Sequence, residues 1–475
     1  MSFYEICDSL LKSYIERDFV RIEKIKNWIE KLNSNIEVKI KKISLNDSRF
    51  WFIDDIGKIR NSKNSFFYIS GLKETYSFNR SLNYTREQPI IVQDEIGYLG
   101  IICKEIDGVL YFLMQAKIEP GNINKIQISP TVQATMSNFT QRHGGNKPAY
   151  IDYFINASKY NIIVDSIQSE QASRFYKKRN RNMIIVIGDD IEILDNYKWM
   201  TLGEIKELMK IDNLVNMDSR TVISCLPLYK ILPEISEKYK KYFFDEMFFS
   251  SVFNNDEINC LSIFNKINNY KMFLHQSIEL IGLNCLNDWY MNNNEFICNN
   301  HYPYKIVFCD ISIEGREVKE WDQPLFEAIG NCIFGLFIRS YNGKMEILVK
   351  LKHEIGCFDK LEIGPTIQLE PYFDRLDIVE SCFLKYIEQY KDCIFYDHFL
   401  SEEGGRFYHE QNRNMVVFFN EKIKIDLPDS YMWVDYKTLN YLTQFSYIIN
   451  IQLRNLMAIL EGNQFDNKDW NLRNC

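Results

Sequence analysis

No surplus of basic residues, no long apolar run and no paired-cysteine motif mark this chain, and each absence removes a class of function. Lys and Arg total 56 against 64 Asp and Glu, a net charge of -8. That balance argues against a general polyanion binder, since such proteins usually carry a basic surplus that displaces counterions, and leaves room for a local basic pocket. The most apolar stretches, Met183 to Ile187 and Met415 to Phe419, have only strand length, so no membrane-spanning helix of about 18 or more residues is expected. Met1-Ser2-Phe3-Tyr4-Glu5 lacks the basic-then-apolar layout of a secretory leader, and a cytoplasmic location is the expectation. The 12 cysteines include no CxxC pair, and the six histidines show no ligand spacing beside them. Most cysteines therefore read as small core hydrophobes, and no metal site is expected. G-x-x-x-x-G-K-[ST], G-x-G-x-x-G and H-E-x-x-H are also missing, which weighs against P-loop, dinucleotide-fold and zincin readings.

What the chain has is 475 residues at 46% hydrophobic content, enough to bury a sizeable core in at least two domains, and a text written twice. Gln88-Pro89 returns as Gln323-Pro324, Gly100 as Gly335, Asp107-Gly108 as Asn342-Gly343, and Lys117-Ile118-Glu119 as Lys352-His353-Glu354. At the same offset Gly121 returns as Gly356 and Pro130-Thr131-Val132-Gln133 as Pro365-Thr366-Ile367-Gln368. After a small change of register, the segment from Ser169 to Tyr176 matches Ser401 to Tyr408, Asn180-Arg181-Asn182-Met183 matches Asn412-Arg413-Asn414-Met415, and Asn216 with Arg220 matches Asn450 with Arg454. A fixed offset reports a duplicated structural unit. The outermost matches place repeat one at residues 80–230 and repeat two at 315–462, flanked by a helical N-terminal extension (1–79), a helical connecting segment (231–314) and a polar tail (463–475).

Each repeat reads as mixed α and β. Alternating apolar residues around Asp107-Gly108 predict a hairpin with arms Ile101 to Glu105 and Val109 to Gln115, the Asp-Gly or Asn-Gly pair being the strongest short hairpin signal. Lys117 and Glu119 share one side of an extended segment, as do Lys352 and Glu354, because strand side chains repeat every second residue. Met183 to Ile187 and Met415 to Phe419 read as buried strands, Leu202 to Met209 and Leu439 to Phe445 as helices, and Phe3 to Lys31 has helical apolar spacing.

The duplicated polar set offers forked donors for phosphate, carboxamides for base or sugar edges, and a carboxylate or phenol for proton transfer. Arg174, Arg181, Arg406 and Arg413 suit phosphate, with structural ion pairing as the plain alternative. Gly404-Gly405 reads equally as a simple turn or as backbone approaching a ligand. Arg142-His143-Gly144-Gly145 is a glycine-flanked loop suited to a ligand contact, or an exposed loop histidine. His409 has Lys177 opposite it in repeat one, an asymmetry that marks divergence between two pockets. Trp199 and Trp433 read as core anchors, with stacking on a base as the alternative.

At Gln115-Ala116-Lys117-Ile118-Glu119-Pro120-Gly121-Asn122, Ser129 to Thr135, Ser137-Asn138-Phe139-Thr140 and Ser401 to Tyr408, the chain resembles the NDP-hexose 2,3-dehydratase family. The resemblance implies an α+β fold of two tandem Nudix-like modules and usually a homodimer. It implies elimination of water across C2 and C3 of a nucleotide-linked 4-keto-6-deoxyhexose, most often dTDP-linked, with no cofactor and with a ketoreductase taking the product. On this reading Glu119 or Tyr176 is base or acid, Lys117 and Gln115 donate to the ketone or enolate, and His143 is a further acid. Arg174, Arg181 and Arg220 hold the diphosphate, and Thr131, Gln133, Arg142 and Asn216 contact the substrate. A second, degenerate or auxiliary pocket comprises Lys352, Glu354, Thr366, Gln368, Arg406, Tyr408, His409, Arg413, Asn450 and Arg454. The alternatives are a Nudix-type nucleotide-sugar hydrolase, disfavoured because the glycine plus R-E-x-x-E-E signature is missing, and a non-catalytic nucleotide-sugar binder.

Overall fold

The computed structural model describes residues 1–63, 66–78, 83–140, 146–243, 246–316, 318–372, 375–420 and 423–460. Among these the architecture is mixed α+β: twelve α-helices and four sheets, two of six strands and two of seven, in two repeated halves. No helix of the described residues is long and apolar enough to cross a membrane.

The chain starts with two helices where one was expected. Phe3–Ile15 opens on a reciprocal cap, the Ser2 hydroxyl accepting from the Glu5 backbone while the Glu5 carboxylate accepts from the Ser2 backbone. Phe19–Asn35 is capped by Asp18, whose carboxylate accepts from the amides of Val20 and Arg21. That cap satisfies the orphan donors of a new helix and so breaks the first one.

The helical character expected of 1–79 and 231–314 is confined to their first parts. Strands occupy Val38–Ile43, Trp51–Ile53, Ile59–Asn61 and Tyr68–Phe78, and correspondingly Leu274–Ile281, Trp289–Met291, Glu295–Cys298 and Tyr304–Ile313. The alternation in Val38-Lys39-Ile40-Lys41 has the period of a half-buried strand, which the stronger helical signal upstream obscured. The first strand of each series is exchanged between halves. Val38–Ile43 pairs antiparallel with Tyr304–Ile313, and Leu274–Ile281 with Tyr68–Phe78.

The seven-stranded sheets form the expected matching pair. In the first, Gly97–Ile106 lies between Val109–Ile118, antiparallel, and Arg179–Ile187, parallel. In the second, Ile333–Tyr341 lies between Lys344–His353 and Gln411–Phe418 in the same senses. The hairpin turns hold both central residues at positive φ, 52° and 77° at Asp107-Gly108 and 52° and 74° at Asn342-Gly343, as the twist-matched two-residue turn requires. Helices Met217–Ser224 and Ile451–Leu460 pack on each other, and one hydrophobic core runs through both halves. Arg220 and Arg454 stitch this joint. Arg220 donates to Asn455 Oδ1 (2.8 Å) and to the carbonyls of Val215 (2.5 Å) and Ser401 (2.9 Å). Arg454 mirrors it on Thr221 Oγ1 (2.8 Å), Ile449 (2.5 Å) and Ser169 (2.6 Å).

Candidate active site

A cavity of about 280 Å³ opens where the first seven-stranded sheet meets a loop from the other half. The strand Val109–Ile118 carries Lys117 to it and Glu119 follows directly, both lining the cavity with Gln133. A frame fixes the three. Lys117 Nζ donates to the Gln133 carbonyl (3.1 Å), Gln133 Nε2 donates to Glu119 Oε1 (3.1 Å), and Lys117 Nζ stands 3.7 Å from Glu119 Oε1. Asn216 caps helix Met217–Ser224 through Oδ1 and donates Nδ2 to Gln133 Oε1 (3.2 Å). Repeat two builds the same frame: Lys352 on the Gln368 carbonyl (3.2 Å), Gln368 on Glu354 (2.9 Å), Asn450 on Gln368 (2.9 Å).

The loops after Ser169 and Ser401 are exchanged between halves. Gly121 N donates to Gly404 O (2.7 Å) and His409 N to Gly121 O (2.9 Å); Gly356 N donates to Ala172 O and Lys177 N to Gly356 O, both 2.8 Å. A Cβ on Gly121 would overlap the Phe407 carbonyl, and one on Gly404 would overlap Asn122 Oδ1 and crowd Glu119. Gly404-Gly405 is therefore a place of close approach to the other repeat's loop. Repeat two thereby brings Glu403, Gly405 and Arg406 to the cavity of repeat one.

Arg406, assigned to a second pocket by sequence, thus lines the first. Its guanidinium stacks over Phe67 (4.3 Å), donates to the Gly405 carbonyl (2.9 Å) and weakly to Gln93 (3.4 Å), and keeps Nε buried with no acceptor. Burial holds its pKa below the ordinary range. Nearby Lys178 is 6% exposed, its ammonium on the Glu95 carbonyl and its pKa pulled down by burial. Burial pushes the carboxyls of Asp218 and Glu403 up, each reinforced by neighbouring carboxylates. Phe50, Trp51, Phe66, Phe67 and Trp321 form an aromatic wall at the same cavity.

Arg174 makes the reciprocal journey and belongs with repeat two, a second departure from the expected assignment. It stacks over Tyr304 (4.3 Å), pairs in a fork with Glu370 (3.1 and 2.8 Å) and stands 3.8 Å from Glu410. Burial alone would lower its pKa, but those two carboxylates hold it above the ordinary value. In repeat one the same two positions are Thr135 and Lys178, so Arg406 has no such partner.

The remaining sequence candidates fall outside the cavity. Arg220 and Arg454 are spent in the helix joint. Arg181 and Arg413 form forked ion pairs with Asp165 and Asp397, the plain alternative. Thr131 and Thr366 are fully buried and clamp backbone, each donating to a strand carbonyl and accepting from Ile102 N or Phe337 N. Tyr176 packs with Leu72, Ile90 and Ile355, and Tyr408 under Lys42 and against His409. Gln115 and Trp199 do not line the cavity, whereas Ser137, Asn138 and Asn146 do. Arg142 and His143 lie outside the described residues.

Sequence reasoning missed Lys178, Asp218 and Glu403. Their opposite numbers are Glu410, Gln452 and Gln171, so the signal is a charge difference between repeats, which agreement between the repeats does not reveal.

A duplicated chain with an open cavity, walled by aromatics and holding ammonium, guanidinium and carboxyl groups side by side, has the groups that acid–base chemistry on a polar ligand requires. Residues 22–226 and 262–460 match the NDP-hexose 2,3-dehydratase family, and the chain belongs to that family. Relatives include dTDP-4-dehydro-6-deoxy-alpha-D-glucopyranose 2,3-dehydratases from three organisms. That of Saccharopolyspora spinosa is 34% identical, covering 84% of this chain and 82% of the relative. That of Amycolatopsis orientalis is 34% identical (93% and 91%), and that of Streptomyces violaceoruber 31% (91% and 95%). Among solved structures, C. elegans Ap4A hydrolase is 13% identical with a TM-score of 0.17, over 25% of this chain and 88% of that one, a likeness too slight to assign the fold.

Proposed function

We propose that this protein is a lyase acting on dTDP-4-keto-6-deoxyglucose, eliminating water across C2 and C3 to give the 3,4-diketo-2,6-dideoxy sugar. The observation that carries the reading is the Lys117, Gln133 and Glu119 frame facing a cavity completed by Arg406 of the other repeat. The C4 ketone acidifies the C3 hydrogen. Glu119 takes that proton, and the charge moves to the C4 oxygen, where the Lys117 ammonium stabilises the enolate. Expulsion of the C2 hydroxyl leaves an enol that tautomerises to the diketone, without redox chemistry. Arg406, with Arg316 and Lys63 at the same cavity, receives the diphosphate, and the aromatic wall takes the base by stacking.

The repeat-two site is inactive on this reading, because Glu370 occupies Arg174. Each half is read as a Nudix-like module, the molecule as a cytoplasmic homodimer, and a ketoreductase as the consumer of its product. Light scattering checks the dimer, and an experimental structure of either half superposed on a Nudix domain checks the module. The central test is incubation with dTDP-4-keto-6-deoxyglucose, following loss of one water by mass and trapping the diketone with an aromatic diamine. Lys117→Ala and Glu119→Gln should abolish turnover in a folded protein, while Lys352→Ala and Glu354→Gln cost less than tenfold. Unimpaired turnover in both repeat-one variants removes the assignment.

A further inference from the structure

Elimination across C2 and C3 needs a proton for the departing C2 oxygen, and neither Glu119, which removes the C3 proton, nor Lys117, which faces the enolate, supplies it. Asp218 lines the cavity at the second position of helix Met217–Ser224, two residues past Asn216, the cap that anchors Gln133. It is 2% exposed, and no side chain among the described residues donates to its carboxyl, although Asn216 beside it and Glu119 across from it are both held. A carboxyl that is buried, aimed into a cavity and left without a protein partner is poised for a ligand.

Resting on the dehydratase reading above, we propose that Asp218 is the general acid of the elimination, donating its proton to the C2 hydroxyl as that group leaves as water. Burial first, then Glu403, Glu170 and Glu119, raise its pKa well above the ordinary carboxyl range against the opposing pull of the Lys117 ammonium. Its place in the first helical turn works the other way, but a helix N-terminus is worth only about 0.3–1 kcal/mol to an anion. The acid is therefore held protonated where a surface aspartate would be ionised. The protons balance. Glu119 gains one from C3, the C4 enolate re-forms its carbonyl as the C2–C3 double bond forms, and the C2–O electrons leave with the oxygen, protonated by Asp218. The enol that remains loses its O3 proton and gains one at C2, Glu119 releases the C3 proton to solvent, and Asp218 recovers one from solvent through the open cavity. Repeat two has Gln452 at this position, a side chain that cannot donate a proton in this way.

Asp218→Asn keeps shape and removes the acid. Expected are a loss of about a hundredfold or more in dehydration, unchanged affinity for dTDP, and continued exchange of the C3 hydrogen for deuterium in heavy water. The 2-deoxy-2-fluoro analogue of the substrate loses fluoride without acid assistance, so the variant should release fluoride at close to the wild-type rate. Equal losses on the hydroxyl and fluoro sugars, or dehydration within a few-fold of wild type, overturn the role. Loss of C3 exchange together with dehydration overturns it as well, by making Asp218 the base. Should the wild-type protein bind the sugar nucleotide and dehydrate neither substrate, the dehydratase reading is what fails. Asp218→Glu, which restores a carboxyl, should regain part of the dehydration; a variant that folds and regains none counts against the proposal.

Discussion

Two arginines at matching positions have opposite occupations, and the difference lies in their neighbours. Arg174 is neutralised by Glu370 and Glu410, whereas Arg406 faces Thr135 and Lys178. Removing Arg174 should leave the half-buried Glu370 carboxylate without its forked partner, beside the buried Glu410 carboxyl; breaking a fully buried pair costs about 3–5 kcal/mol, and less where one member reaches solvent. Arg174→Ala should therefore lower the denaturation midpoint strongly and leave affinity for dTDP unchanged. Arg406→Ala should weaken dTDP binding tenfold or more with a smaller loss of stability, since the hydrogen bonds it releases go to two neutral acceptors and Glu403, Glu119 and Glu95 act on it only through space. Calorimetric titration with dTDP beside denaturant melts of both variants decides the matter, and a reversed pattern refutes it. These residues also explain how far the site was legible in the sequence. Repetition picked out Lys117, Glu119 and Gln133 because both repeats need that frame to hold a strand, a loop and a helix cap together. It equally picked out Arg220, Thr131 and Arg181, whose work is packing, backbone clamping and surface pairing, because duplication preserves scaffold and chemistry alike. Lys178, Asp218 and Glu403 escaped because the charge at each differs between the repeats.

The elements that matter most are those that change sides. Within a repeat, the hairpin at Asp107-Gly108, the apolar end Met183 to Ile187 of the strand Arg179–Ile187 and the helix Leu202–Leu208 were all readable from local period and turn chemistry. The exchange of Val38–Ile43 with Leu274–Ile281 was not, because pairing partners about 200 residues apart or more leave no mark on a local pattern. The crossing of the Gly121 and Gly404 loops has the same character, and it leads to a sharp expectation. An alanine at Gly121 would drive its Cβ into the Phe407 backbone, which has no flexible end to yield. Overpacking of this kind costs typically 1–3 kcal/mol or more. It would also move Glu403 and Arg406 away from Glu119, so Gly121→Ala should lose both melting temperature and dehydration rate. Gly188→Ala, where an added Cβ meets nothing within 4 Å, should change neither. Equal behaviour of the two variants in thermal melts and water-loss assays would contradict the exchanged-loop account.

Across the whole molecule, burying this many carboxyls in one interior sets how stability responds to pH. Glu362 is 3% exposed, donates nothing and accepts only from the Ser169 hydroxyl (2.6 Å), and burial raises it to about 7. Glu170 and Glu410, equally buried, are raised for the same reason. A raised carboxyl binds its proton more tightly in the folded than the unfolded chain, so its contribution is complete below the ordinary value of 4.5 and is lost as pH climbs through the folded value. Glu74 runs the other way. Burial alone would raise it, but His353 (2.9 Å) and Arg86 (2.5 Å) hold it at about 2, so its contribution is present above pH 4.5 and disappears on acidification. The two tendencies cross near pH 5, and the melting temperature should peak there and decline toward pH 8. Repeat one already contains the remedy, for Gln127 occupies the position of Glu362 and donates to Ser401 Oγ at 2.8 Å. Glu362→Gln should therefore flatten the decline. At about 1.4 kcal/mol per pH unit over the interval from 4.5 to about 7, the gain at pH 8 is on the order of 3 kcal/mol, or roughly 3 °C for a chain of this length. Calorimetry at pH 5 and pH 8 distinguishes the cases: a gain of the same size at both values would mean that Glu362 destabilises through packing, with no titration involved.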